Sequence, residues 1–574
     1  MNHKLLRVLA LLCFTLSLPF LLSAETQYLT ILHTNDTHST VFPYGPHNDW
    51  GGIARMSTMI KAIKAETPHV LVVNAGDVFV GTFEFNKYLG YAELKIMEDL
   101  YDAMALGNHE FDLGVEGLLG VLSGALAGGE PITGFPILCA NVNLSAVPPL
   151  QQFVKPYMVK QVGGIRVGLL GVVNYDALNY PPEVYALLSD PFQAAGEAAF
   201  MLKYVEGVDI VVCLSHLGKM YDFMGLSQVP LIDIIVGGHT HDAITGPTVV
   251  NGKIIAQAGD FGRYLGELVV EWDGAQVQLV SQRLLPVTWQ VRQDPALRPT
   301  LNMLRDGIVM DPRFGPVYTQ HIATAPWDLE ERWDLSRPER DTPLGNLVAD
   351  GIKQAVISAG YPADFALEAN GYTATKIHKG KVVGNDIMKA VPYGYDEASG
   401  LGFKIDTVLL AGAQILAGLE YSVSMVEYTD DASMQVSGLT FKYDSSKTSL
   451  PGEQIIYNLT HGIMEWGRVD PFSVKVNGNP LELGATYWVA LTEQLHKFLL
   501  ANGLVPFASI STGILEYNAV RDFMAEQKFL NYTIEGRVTD RAGQSNSQAL
   551  SSRDENPVRK KGGASAAVHK EPVH

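Results

Sequence analysis

From Tyr28 to about Leu285 the sequence alternates short apolar runs with helix-patterned segments, and this alternation restricts the fold more than any other feature of the chain. The runs are YLTILH, HVLVVN, DAMAL, FPILCAN, IRVGLLGVV, VDIVVCLS, LIDIIVG and KIIAQAG, each five to nine residues long. A strand with one wet face alternates apolar and polar residues. Runs that are apolar almost throughout therefore predict strands covered on both faces. Between the runs, Ile53, Met56, Ile60 and Ile63 recur at helical spacing over Gly52–Glu66. Strands and helices in this alternation predict a layered α/β domain.

At 574 residues the chain is too long for one compact domain of roughly 100–200 residues. A polar stretch, Gln290 to Glu339, is rich in Pro, Asp and Arg and reads as the passage to a second unit. LGNLVADGIKQAV (Leu344–Val356) reads as a helix, and helix and strand signals continue to about Val538. The expected division is a signal segment at 1–24, a first domain with its linker at 25–315, a second domain at 316–540 and a disordered basic tail at 541–574. The signal rests on Lys4 and Arg7, the apolar run Val8 to Leu22, and the small residue Ala24. It implies an exported protein, periplasmic or extracellular, with no integral membrane segment once the signal is removed; left uncleaved, it would be an anchor. The tail has no terminal apolar stretch for a lipid-anchor signal. Cys139 and Cys213 lie in apolar runs and read as buried free thiols, with a bridge between them possible in an exported protein. The 61 acidic against 42 basic residues give a net charge of −19, the wrong sign for non-specific nucleic-acid binding.

Polar motifs follow the ends of five runs. Thr34-Asn35-Asp36-Thr37-His38 follows the first, Ala75-Gly76-Asp77 the second, and Gly107-Asn108-His109-Glu110-Phe111-Asp112 the third. His216-Leu217-Gly218 and Gly237-Gly238-His239-Thr240-His241 follow two later runs. Loops at the carboxyl ends of parallel strands gather at one sheet edge, so five loops would deliver Asp, His and Asn side chains to one place. Imidazole and carboxylate suit divalent ions. Seven ligand-type groups (Asp36, His38, Asp77, Asn108, His216, His239, His241) exceed one tetrahedral centre; with one carboxylate bridging, they suit two ions of four ligands each. Gly76, Gly107, Gly237 and Gly238 would allow close backbone approach there.

DTH, GD, GNHEFD, SHLG and GGHTH in this order resemble the calcineurin-like metallophosphoesterases, and more closely their exported 5′-nucleotidase / UDP-sugar hydrolase branch. GGIAR (Gly51–Arg55), CANV (Cys139–Val142) and QAGDFGRYLGEL (Gln257–Leu268) resemble further patterns of that branch. The resemblance implies a four-layer α/β/β/α metallophosphoesterase domain followed by an α/β (α+β) 5′-nucleotidase-type substrate domain. It also implies Asp36, His38 and His241 on one metal, Asn108, His216 and His239 on the other, and Asp77 bridging. His109 and Asp112 would be the catalytic pair, and the ions would be zinc, manganese or cobalt.

In the second domain the resemblance thins. RDTPLGNL (Arg340–Leu347) is similar to the family's entry motif and places a substrate-contacting arginine at Arg340. Asn370-Gly371 resembles the start of an NGGGIR-type motif, whose arginine is absent here, with Lys376 the nearest charge. Where the family carries two aromatic rings that clamp a nucleobase, this chain has Ser433 and, by the simplest alignment, Leu499, with Phe498 one residue away. Tyr393, Tyr395 and Phe507 are the other aromatics available to compensate. The expected partner is a small phosphoester, a nucleotide first. A cyclic nucleotide, a UDP-sugar or a sugar phosphate is the alternative, because the clamp is altered. A non-catalytic exported binding protein on this scaffold is the third reading.

Overall fold

The computed structural model describes residues 26–176, 180–427, 429–461 and 466–542. The expected signal at 1–24 and the basic tail beyond Ala542 lie outside the described residues. Among the described residues, no helix is long and apolar enough to cross a membrane.

The described residues of the first half form thirteen strands: β1 (Gln27–Thr34), β2 (Val70–Asn74), β3 (Ala103–Ala105), β4 (Ile137–Leu138), β5 (Val154–Lys155), β6 (Tyr157–Val162), β7 (Ile165–Val173), β8 (Ile210–His216), β9 (Ile234–Gly237), β10 (Val249–Val250), β11 (Lys253–Ala256), β12 (Tyr264–Trp272) and β13 (Val277–Pro286). They make two sheets, in the orders β13-β12-β1-β2-β3-β4-β5 and β10-β11-β9-β8-β7-β6. β1 to β5 run parallel, as do β7, β8, β9 and β11. Antiparallel strands close the edges.

Strand alternation explains the layers. Leu29 and Ile31 of β1 and Leu71 and Val73 of β2 face inward and pack with Val167, Leu169, Ile210 and Val212 of the other sheet. Leu32 and Val72 face outward, onto Met56 and Ile60 of the helix Ile53–Glu66. The outer face of the second sheet is covered by Ala195, Ala198 and Ala199 of the helix Pro191–Phe200. Both faces of the central strands are therefore apolar, giving a helix, sheet, sheet, helix stack. Cys139 and Cys213 are buried and free; they sit in different clusters of the core.

The second half is built on a mixed five-stranded sheet, in the order Met434–Ser437, Phe365–Ala369, Thr486–Thr492, Lys404–Ala411, Ala508–Leu515. The expected helix spans Pro343–Ser358, and Thr342 caps it by accepting from the Gly345 N–H at 2.9 Å. It packs against the helix Glu516–Gln527. The polar passage differs from expectation, because it contains a helix, Arg298–Val309. Leu301, Leu304 and Ile308 are its buried stripe, and Tyr88 donates to the Leu304 carbonyl at 2.8 Å. Three apolar residues were too sparse among Pro, Asp and Arg to read as an element; tertiary burial supplies the stabilisation. One apolar cluster runs through both halves, from Phe42, Phe79 and Phe83 to Val317, Leu344 and Tyr517. The rings of Phe83 and Tyr517 meet edge to face at 5.5 Å.

Candidate metal centre

Asp36 and His38 follow β1, Asp77 follows β2, and Asn108, His109 and Asp112 follow β3. His216 is the last residue of β8, and His239 and His241 follow β9. The carboxyl ends of parallel strands in both sheets thus converge, which is where open α/β sheets build sites. Asp36, His38 and His241 form one cluster, and Asp77, His216 and His239 a second. Within each, the ligand-type atoms all lie within 4.8 Å of one another. His216 Nε2 stands 3.0 Å from Asp77 Oδ2 and 3.8 Å from Asp36 Oδ1, so the clusters share a wall. Asn108 is buried beside them, and the adjoining His109 N–H donates to Asp77 Oδ1 at 3.0 Å.

Hydrogen bonds fix which imidazole nitrogen is free. The Nδ1 of His38 faces the carbonyls of Phe79 and Val80 at 3.2 Å each, and the Nδ1 of His216 faces that of Ala75 at 2.7 Å. Carbonyls only accept, so both Nδ1 atoms carry a proton, and Nε2 is the atom that presents a lone pair when either ring is neutral. The Nδ1 of His241 lies 3.3 Å from Asp260 Oδ2, a carboxylate that orients the ring in the same way. The Nε2 atoms of His38 and His241 then face each other at 3.1 Å. The Nε2 of His216 is buried without a hydrogen-bond partner among the described residues. Imidazole nitrogens and carboxylates converging in two buried clusters fit a pair of divalent cations.

Protonation follows the same pattern. Burial, reinforced by His241, holds His38 down at about 3, and burial with His216 nearby holds His239 at about 4. Both rings are neutral donors at ordinary pH. Burial opposes charge on His216, but Asp77 and Asp36 outweigh it and lift the ring to about 10. A dication among these carboxylates would compete with that proton.

Backbone strain marks the centre. Asp36, His38, Asp77, His239 and His241 have φ of 47°, 45°, 54°, 75° and 57°. Each left-handed non-glycine residue costs about 1–3 kcal/mol and persists only where neighbours enforce it. Enforcement comes from Asp36 N–H to the Gly76 carbonyl at 2.9 Å and His38 N–H to the Asp77 carbonyl at 3.1 Å. At Gly107 a Cβ would stand 2.1 Å from Asp77 Oδ1, so only glycine allows the second and third loops to meet.

His109 and Asp112 are joined, with Nδ1 and Oδ2 2.8 Å apart, and His109 Nε2 is 4.0 Å from Asp77 Oδ2. Burial works against the imidazolium, yet Asp112 and Asp77 outweigh it and raise His109 to about 9. Bound dications would oppose that rise.

Four further residues matter here, and of them the sequence singled out only Tyr393, as one of three aromatics that could compensate. The Glu110 carboxylate accepts four backbone N–H groups, from Asp77, Val78, Phe79 and Gly107, at 2.5–3.1 Å. Asp260 holds His241 and pairs with Arg263. Tyr393 stacks on His109, centroids 5.1 Å apart and planes 16° from parallel. Arg332 lies 3.7 Å from Asp430 and near enough to His241 and Tyr393 to weigh on both. GNHEFD and QAGDFGR already contained Glu110 and Asp260 as motif letters. Nothing local marked Arg332.

Asn370 and Gly371 pack against the Asp430–Asp431 segment. Asn370 Nδ2 donates to Asp430 Oδ2 at 3.1 Å, and the Gly371 N–H donates to the Asp431 carbonyl at 2.9 Å. Asp431 weighs on the protonation of His239. The Arg340 guanidinium is taken up elsewhere: it donates to the Arg337 and Glu339 carbonyls, stands 3.8 Å from Asp540 and lies over the Trp333 ring. Lys376 pairs with Asp328 and Glu330 at 3.0 and 2.9 Å. Ser433 and Leu499 are buried in the second half, and the Phe498 ring meets Tyr421 edge-on at 5.2 Å. Of the compensating aromatics, Tyr393 reaches the centre. Tyr395 packs on Phe85, and Phe507 is exposed.

Residues 29–243 match the family model for the calcineurin-like phosphoesterases, and residues 321–497 match that for the 5′-nucleotidase C-terminal domain. The crystal structure of a 5′-nucleotidase precursor from Thermus thermophilus is 30% identical and superposes with a TM-score of 0.76, covering 90% of this chain and 99% of that one. The chain belongs to the 5′-nucleotidase family of calcineurin-like phosphoesterases. It is accordingly a metal-dependent phosphoric ester hydrolase by class. The 5′-nucleotidase of Rattus norvegicus is 27% identical over 92% of this chain and 93% of its own length. The trifunctional nucleotide phosphoesterase protein YfkN of Bacillus subtilis is 30% identical over 75% of this chain, which spans 30% of that larger protein.

Proposed function

We propose that this 5′-nucleotidase family member is an exported dimetal phosphoesterase that hydrolyses nucleotide phosphate esters. The observation that carries the reading is the pair of three-residue clusters sharing a wall beside the His109–Asp112 pair. Asp36, His38 and His241 would hold one divalent ion. Asn108, His216 and His239 would hold the second, with Asp77 between them. Two bound ions supply an acidified water and neutralise phosphoryl charge. The chain's own residues do the rest. His109, with Nδ1 committed to Asp112, presents Nε2–H to a phosphoryl oxygen or the leaving group. Asp112 keeps that ring oriented and protonated. Asp260 and the Ala75 carbonyl hold the rings of His241 and His216. Asn370 and Tyr393 bring the second half to the same cleft. Export rests on the first 24 residues of the sequence.

The protein supplied with Mn²⁺ or Zn²⁺ should hydrolyse an aryl phosphate, and Asp77→Ala should lose at least about 10²–10³-fold in turnover. Full activity in that variant would refute the ligand assignment. A second reading keeps the centre and changes the ester, because Ser433 and Leu499 offer no ring to a base. Rates on AMP, UDP-glucose, 2′,3′-cyclic AMP and sugar phosphates separate the two readings; AMP as the best substrate by far supports the first.

A further inference from the structure

Lys389 is among the most deeply buried charged side chains of the molecule, at 2% exposure. It lies on the helix Gly384–Ala390 of the second half, between the apolar positions Met388 and Ala390. Burying an ammonium is costly unless something replaces its water. Here the replacement comes from the first half. Nζ lies 3.9 Å from the centroid of the Tyr44 ring, 4.3 Å from that of Phe261, and donates to Thr40 Oγ1 at 3.1 Å. Burial lowers the ammonium's pKa to about 7 against the attraction of Glu84, Asp260 and Asp386, so the lysine is cationic below that pH. Two ring faces and a hydroxyl form a cage for a desolvated cation.

The cage touches the centre on both sides. The Phe261 ring lies 5.3 Å from that of His38 and 6.0 Å from that of His241. The lysine's helix ends at Ala390, and Tyr393, three residues on, packs against the Tyr44 and Phe261 cluster while stacking on His109. One side chain thus ties the segment leading to Tyr393 to the His38 loop, through Thr40 and Tyr44, and to Phe261, whose ring packs near His241.

We propose that Lys389 is a positioning residue: its ammonium, inserted between Tyr44 and Phe261, pins Tyr393 over the centre and sets the registry of the two halves. The proposal rests on the phosphoesterase reading for its kinetic consequence, but the pin itself does not. Deuterium exchange on the full-length protein, at a pH below the lysine's pKa of about 7, tests the pin directly. Lys389→Met keeps the stem and removes the charge; it should raise exchange over residues 384–395 by roughly 10- to 30-fold, the loss expected for a desolvated cation–π contact. Amides of β1 to β3 should not change. Lys389→Arg, which offers the rings another cation, should restore most of the protection. Tyr44→Leu should give the same local effect, and the double variant no more than either single change. Wild-type exchange over 384–395 in Lys389→Met, or an increase spread evenly over the chain, would overturn the proposal.

The kinetic arm uses two esters. For Lys389→Met, KM for AMP should rise about 10-fold, because AMP must be held by both halves at once. Turnover of an aryl phosphate, which needs only the first half, should stay within about twofold. Equal losses on both esters would also overturn it. A wild-type protein that hydrolyses neither ester would refute the functional reading and leave the exchange result to decide the pin.

Discussion

Replacing Glu110 with Gln would remove half of the acceptors that hold two ligand loops together. Oε1 of Glu110 accepts from Val78 and Phe79 at 2.7 and 3.1 Å, and Oε2 from Asp77 and Gly107 at 3.0 and 2.5 Å. Burial first, then the neighbouring Asp77, push this carboxyl's pKa upward, yet four N–H donors suit only the acceptor-only carboxylate. An amide has one oxygen. In either orientation its NH₂ faces two backbone donors, leaving two buried N–H groups unpaired. At about 1–3 kcal/mol each, the loss is about 2–6 kcal/mol. That is a large part of the roughly 5–15 kcal/mol typical of a folded domain. The lost bonds fall on Asp77 and Gly107 in one orientation and on Val78 and Phe79, next to Asp77, in the other, so the damage should fall on metal loading as well. Glu98 supplies the control. Its Oε1 accepts from Thr133 and Gly134, at 2.6 and 2.7 Å, and the oxygen of a glutamine can keep both bonds; only the part-exposed pair of Oε2 with Lys95 is lost, at about 0–1 kcal/mol. Melting temperature and bound metal per chain should therefore fall sharply in Glu110→Gln and hardly change in Glu98→Gln. Equal, small effects in the two variants would refute the argument that doubled acceptor use makes Glu110 irreplaceable.

Four further outcomes follow from the same geometry. Gly107→Ala places a Cβ 2.1 Å from Asp77 Oδ1 and should abolish stoichiometric metal binding, read by elemental analysis. Asp112→Asn removes the first of the two charges that outweigh burial on His109; the pKa of His109 should fall, and the basic limb of the kcat/KM profile should move to lower pH. Asp294 is held down at about 2, chiefly by Lys61 and Ser57. A depressed carboxylate stabilises the fold above its unfolded value near about 3.9 and loses that contribution as pH falls through about 2, so the melting temperature of Asp294→Asn should depend less on pH between about 4 and 2. Chelation should lower the melting temperature, and added Mn²⁺ or Zn²⁺ should raise it in a concentration-dependent way, since ions that bind only the folded state stabilise it by mass action.

The first half was legible because its signals are local and repeated. Each of the eight apolar runs contains a strand, and each named ligand stands at or just past a strand end. Burial on both faces makes a strand visible in single-residue hydropathy, and a loop that must deliver ligands has little freedom in residue type. The helix Arg298–Val309 was illegible because its apolar stripe is three residues wide. The clamp positions misled for a different reason. Motif alignment fixes where Ser433 and Leu499 stand in the chain, but not that Tyr393 folds onto His109 from a loop 284 residues away in sequence.

The sequence by itself determined the layered α/β architecture of the first half and the seven ligand-type residues at the ends of its apolar runs, since both are written in local period and local composition. Only the tertiary structure decided which imidazole nitrogen is free, that Glu110 clasps two loops, and that Lys389 and Tyr393 reach across from the second half. Those facts depend on side chains far apart in the chain meeting in a buried space. The cost of leaving a donor, a charge or a lone pair unpaired there selects one arrangement, and no local pattern records that selection.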